Sequence, residues 1–92
     1  MAKKYLYNLY LSGQFADNKR ICENLRSILD EKLKDQYSLD IIDVTEDPTS
    51  VLKANIFSTP TLVRQRPSPL RVVMGDLSDR EKLAVAVEIS LK

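Results

Sequence analysis

The strongest constraint on this chain is an amphipathic helix pattern set between two strand-like runs. From Asp17 to Lys34 the apolar residues Ile21, Leu25, Ile28, Leu29 and Leu33 recur at spacings of three and four, the period that turns one helix face into a core. Before it, KYLYNLYLSG from Lys4 to Gly13 is a short Tyr- and Leu-rich run ending in Ser-Gly, which suits a strand buried on both faces. After it, YSLDIIDV from Tyr37 to Val44 is β-branched and bounded by polar residues. Strand, helix and strand in this order make a βαβ unit, with parallel strands and a right-handed crossover.

A thioredoxin-like or other small α/β fold follows for the 92 residues, a length that closes one core as one domain. Asp47 before Pro48 reads as an N-cap and first helical residue, opening a short helix to about Asn55. Ser58-Thr59-Pro60-Thr61 then resembles the proline turn of thioredoxin-type domains. Its Thr59–Pro60 bond is a candidate for the cis form that about 5% of such bonds adopt in folded proteins. TLVRQ and LRVVM read as an antiparallel hairpin whose loop, RPSP, carries Pro67 and Pro69, which cannot donate to a ladder.

The last segment carries two signals at once. Ser78 with Glu81 is a capping box for a final helix with Leu83, Val87 and Ala84 inward, yet Leu83, Val85, Val87 and Ile89 also alternate as in a strand. Competing local signals argue against one deep minimum, or for a second fold of the same segment.

Chemistry has few residues to work with. There is no histidine and one cysteine, so neither a zinc site nor an intrachain disulfide can be assembled, and Cys22 reads as a small hydrophobe at a helix position. Asp40 and Asp43 sit three apart on a strand and point to opposite faces, so they cannot act as an acid/base dyad. Gly13 and Gly75 are too far apart for a phosphate loop. A net charge of +1 gives no general attraction to nucleic acid or anionic lipid, and no apolar run approaches a membrane span. The reading is a cytoplasmic chain without cofactor or metal, and not a hydrolytic or phosphoryl-transfer enzyme. Arg64, Arg66 and Arg71 around the two prolines read either as charge that keeps edge strands from pairing or as an anion-recognising patch.

NLYLSG, YSLDIIDVTEDP, FSTPTLV and RPSPLRVVMGDLSDREK, in this order from Tyr5 to about Ile89, together resemble the KaiB family of cyanobacterial circadian clock proteins. The resemblance implies a KaiB-like domain over 1–92 that binds the first ATPase ring of KaiC, competes with the kinase SasA and rests as a homo-oligomer, tetramer or dimer. It also implies a metamorphic chain, whose C-terminal half from about Ser50 changes between a ground-state fold and the thioredoxin-like one. Pro60, Pro67 and Pro69 match prolines that isomerise in that slow switch, and Tyr5 is assigned to it with them. Lys53 and Asn55 match the KaiC-facing surface in position, though not fully in residue type, and Arg20 and Arg71 match basic positions at partner or oligomer contacts.

Three departures from the clock members bear on function. Ala86 stands in place of glycine and Glu88 in place of aspartate, both favouring helix in the last segment. Asp40 replaces a lysine and Ser38 an alanine on the edge expected to meet KaiA, which argues against KaiA as a partner. The acidic tail usual in the family is missing after Lys92, so a paralogue with its own KaiC-like partner, in a clock or a stress response, is the expectation. The alternatives are a thiol-independent thioredoxin-like adaptor and a detached sensor domain of a SasA-like kinase. The latter is disfavoured by a chain that begins at Met1 and carries neither linker nor kinase.

Overall fold

A computed structural model describes residues 3–13, 16–54, 59–74, 77 and 79–92. The elements run β1 (Tyr5–Leu11), α1 (Ala16–Leu33), β2 (Tyr37–Asp43), α2 (Pro48–Ala54), β3 (Thr61–Arg66), β4 (Arg71–Met74) and α3 (Arg80–Ser90). The βαβ unit forms as its pattern predicts: β1 and β2 pair in parallel, Tyr5 opposite Tyr37 through Leu11 opposite Asp43. β3 pairs antiparallel with β1 and β4 antiparallel with β3, giving a four-stranded sheet in the order β2-β1-β3-β4.

Side chains on β1 alternate, and one set defines the core. Tyr7, Leu9 and Leu11 meet Ile21, Leu25, Ile28 and Leu29 of α1, Leu62 of β3, Leu77, and Leu83, Ala86 and Val87 of α3 in one buried cluster. The α1 residues are those that its spacing singled out, and Leu33 packs against the cluster half-buried. Tyr10 and Val63, of the other alternation, are also buried, whereas Leu6 and Asn8 are only half-covered. Burial on both faces therefore holds for the C-terminal end of β1 and lapses at its N-terminal end.

The turns follow local chemistry. Gly13 has a φ of 73°, left-handed geometry that glycine adopts without a Cβ penalty, and its N–H donates to Asp43 Oδ1 at 3.2 Å. Asp43 also accepts from the N–H and hydroxyl of Thr45 at 2.9 and 2.6 Å, tying the end of β1 to the end of β2. Lys34 ends α1 at φ 55° while its N–H donates to Asp30 O, a helix-ending conformation that the sequence does not announce with glycine. α2 begins on Pro48 as expected. Thr59–Pro60, Arg66–Pro67 and Ser68–Pro69 are all cis.

In the last segment the helix wins. Leu83, Ala86, Val87 and Ser90, at helical spacing, are buried, while Val85 and Ile89, which a strand would align with Leu83, remain 57% and 49% exposed. Asp79 is the N-cap, its side chain accepting from Glu81 N at 2.8 Å; Ser78 of the expected capping box lies outside the described residues. Asp79 was available from the same turn and differs from the expectation by one position. Ala84 packs half-buried against the core.

Leu29 has no exposed surface at the crossing of α1 with the sheet. Leu29→Ala should lower the unfolding free energy by about 2–5 kcal/mol, read from the midpoint of urea denaturation at unchanged slope.

Candidate functional site

Of the residues singled out from sequence, Ala86 and Glu88 belong to the docking of α3, Arg20, Lys53 and Arg71 lie on α1, α2 and β4, Tyr5 starts β1, and the prolines flank β3. Docking of α3 depends on one buried polar contact. Tyr7 on β1 and Ser90 in the last turn of α3 are both buried, with Tyr7 Oη and Ser90 Oγ 2.7 Å apart. Ser90 donates its proton to Val87 O at 2.6 Å, so the phenol is the donor between the two. Burial pushes the Tyr7 phenol above its ordinary value of 10.0, with the nearby Arg64 charge acting the other way.

Ala86 is 4% exposed on the same inward face. Glu88 points out and pairs with Lys32 in the last turn of α1, and Lys32 holds the Glu88 carboxyl below its ordinary range. Arg80 at the start of α3 donates to Ser27 Oγ at 3.3 Å and lies 3.9 Å from Glu31. Polar contacts thus join α1 and α3 near both ends of α3. Ala86 and Glu88, singled out for helix preference, occupy its buried and ion-paired sides respectively.

Arg64 corrects the reading of an arginine-rich projection. Strand alternation places it with Leu62 on the core side, where it is 3% exposed, and Nη2 donates to Pro69 O at 2.8 Å while Nε has no partner among the described residues. Arg71, opposite Arg64 on β4, is half-buried, and only Arg66 of the three is exposed. The buried guanidinium instead fastens the Pro67–Pro69 loop to β3. Pro60 and Pro67 are half-buried and Pro69 is exposed.

Tyr5 starts β1 half-buried, its N–H donating to Gln36 O at 2.9 Å, with the Lys4 ammonium 5.5 Å from its ring centre. Arg20 is exposed on α1, and Lys53 is exposed in the last turn of α2 beside Leu52, which is 77% exposed. Asn55 lies outside the described residues. Arg20, Lys53 and Arg71 occupy three different elements, and no hydrogen bond or ion pair joins them. Cys22 is half-buried against the core, and desolvation raises its thiol pKa, so it stays protonated at neutral pH. The Tyr7–Ser90 bond and the buried Arg64 were missed in sequence; the alternation that puts Tyr7 and Arg64 beside core leucines was the available signal.

Four strands with a parallel βαβ start, an antiparallel hairpin and a closing helix define a thioredoxin-like α/β protein. The N-terminal domain of Synechococcus elongatus SasA superposes with a TM-score of 0.76 at 24% identity, covering 99% of this chain and 86% of that domain. The germline-specific thioredoxin Deadhead of Drosophila melanogaster does so with a TM-score of 0.71 at 20% identity, over 94% of this chain and 80% of the other. At those identities the likeness is one of fold. In sequence, the KaiB domain matches residues 8–89. The circadian clock oscillator protein KaiB of Microcystis aeruginosa is 37% identical over 87 residues, 95% of this chain and 84% of its relative. The chain belongs to the KaiB family.

Two experiments address the polar contacts. Tyr37, whose hydroxyl donates to Asp30 Oδ1 at 2.6 Å, is pushed up to about 12 by burial first and by Asp30 second. Because the folded phenol holds its proton more tightly than the unfolded one, the contact stabilises the fold fully below about pH 10. That stabilisation is lost as pH rises toward about 12. A tyrosinate absorbance titration should extend toward about 12, and Tyr37→Phe should lower the amplitude of that high-pH phase by one tyrosine. In urea denaturation, Ser90→Ala leaves a buried phenol unpaired and should cost about 1–3 kcal/mol, whereas Tyr7→Phe leaves Ser90 bonded to Val87 and should cost about 1 kcal/mol.

Proposed function

We propose that this chain is a non-enzymatic, clock-type regulator that binds the hexameric ring of a KaiC-like ATPase in its thioredoxin-like form. The observation that carries the reading is the KaiB match across residues 8–89. The relatives are circadian clock oscillator proteins, which supports the clock role. The likeness of fold to the SasA domain supports competition between this chain and a SasA-like kinase for one partner surface.

The partner-facing residues in this reading are Lys53 and Asn55 on and just after α2, with Arg20 and Arg71 at secondary partner or oligomer contacts. The exposed Leu52 beside Lys53 adds an apolar contact to a basic one, a combination that suits a docking helix. Charge reversal at Asp40 disfavours KaiA. The 92 residues act as one domain, resting as a homo-oligomer in the cytoplasm; among the described residues no helix is long and apolar enough to cross a membrane.

Residues Pro60, Pro67, Pro69, Tyr5, Ala86 and Glu88 set the balance between a resting fold and the binding one. Ala86 lies buried in α3, where glycine would weaken the helix by up to about 1 kcal/mol, roughly a five-fold change in population. This chain therefore favours the binding form more than a glycine-bearing relative would.

The test is a size-exclusion time course after mixing the protein with an ATP-bound hexameric KaiC-like ATPase from the same source. Complex should accumulate, and Ala86→Gly should reduce the early complex about five-fold. Accumulation over hours marks a fold switch, and complex within mixing time marks a preformed binding state. No complex with an active partner would overturn the reading and leave a thioredoxin-like adaptor or a stress-response paralogue.

A further inference from the structure

The sheet face opposite α1 and α3 carries, near β2, a set of polar side chains that the rest of the fold does not use. β1 and β2 run in register there, Leu6 beside Ser38 and Asn8 beside Asp40, so these four side chains share a face. On the other side of β1 the ladder slips. Arg64 opposes Tyr7 and Arg66 opposes Leu6, which leaves Gln65 as the extra residue of a bulge. Bulges re-aim a side chain, and this one turns Gln65 toward the same place. Leu6, Tyr7, Asn8, Ser38, Asp40 and Gln65 line a cavity of about 200 Å³.

Of the polar groups around this cavity the Asp40 carboxylate only accepts, while Ser38, Asn8 and Gln65 each offer an oxygen acceptor beside a donor. The Asp40 carboxylate, the Ser38 hydroxyl and the Gln65 carboxamide take part in no hydrogen bond or ion pair among the described residues. Asn8 donates from Nδ2 to Tyr10 Oη at 3.3 Å, and this leaves its Oδ1 free. Around the cavity stand one full negative charge and three neutral oxygens. A Ca²⁺ site takes six to eight oxygens, so this set is too small for one.

A guanidinium is the complementary group. It has five N–H donors in a planar fork, no acceptor and a permanent charge, and it is more weakly hydrated than an ammonium. The acceptors are spread over three neighbouring strands, about 4.8 Å apart, a spacing that a wide fork spans better than a point charge. Leu6 gives the aliphatic stem an apolar wall. We propose that this cavity receives an arginine side chain of a partner protein, with Asp40 as counter-ion and Asn8, Ser38 and Gln65 as neutral acceptors. The cavity is built by β1, β2 and the β3 bulge, not by α2, so the inference does not depend on the ATPase reading and can fail separately from it.

The probe is N-acetylarginine methylamide, titrated into the isotope-labelled full chain while the side-chain amide signals of Asn8 and Gln65 are followed by NMR. The citrulline analogue is the neutral isostere. Saturable shifts with the arginine compound and none with the citrulline one are expected. Asp40→Asn, at an exposed position that leaves the core untouched, should weaken the arginine response by about ten-fold, the worth of one charge-assisted hydrogen bond. Signals that do not saturate, that move equally with citrulline, or that persist undiminished in Asp40→Asn would overturn the proposal. So would an equal response to spermidine, which would place a free polyamine in the cavity.

Discussion

α3 closes the core through a single inward face, and the rest of the fold depends on that docking. Leu83, Ala86 and Val87 complete the apolar cluster begun by β1 and α1, and Ser90 ends the face on the buried hydroxyl of Tyr7. Without the helix, Tyr7 and Leu9 at the centre of the sheet would lose part of their cover, and the phenol would lose its acceptor. A buried hydrogen bond of this kind adds little net stability when both partners are present and costs more when one is removed, so it selects one placement of the helix.

The same docking makes the C-terminal segment sensitive to small energies. Its outward side is held by Lys32 with Glu88 and by Arg80 with Ser27, contacts at the surface that water and salt weaken. Its residues retain strand alternation through Val85 and Ile89, which stay exposed and gain little from the helix. The segment thus combines a well-packed inner face, weakly held outer contacts and a competing local preference. Ala86 on the inner face favours helix by up to about 1 kcal/mol over a glycine at the same place.

Much of the fold was legible because periodicity reports burial. The α1 spacing identified its core residues, and the run from Tyr5 to Leu11 read as a buried strand because its Tyr and Leu residues recur with so few interruptions. The candidate surface was less legible. Lys53 and Arg20 were named by resemblance and are exposed, but Arg64 was read as surface charge when it is a buried clamp on Pro69 O. Composition around Pro67 and Pro69 suggested a charged projection; the two-residue alternation of β3, which decides the side of the sheet, overrode it. The acceptor-lined cavity was invisible for a related reason. Its residues are far apart in sequence, and the β3 bulge that turns Gln65 toward them leaves no local mark.

By itself the sequence determined the α/β class, the βαβ start, the hairpin and the α1 face of the core, since each depends on local propensity and on the period of apolar residues. The tertiary structure alone decided which of two patterns the last segment obeys, because only docking on Leu9 and Tyr7 rewards the helical face over the strand face. It also decided which polar side chains gather on the open face, because strand register brings together residues that the chain keeps apart.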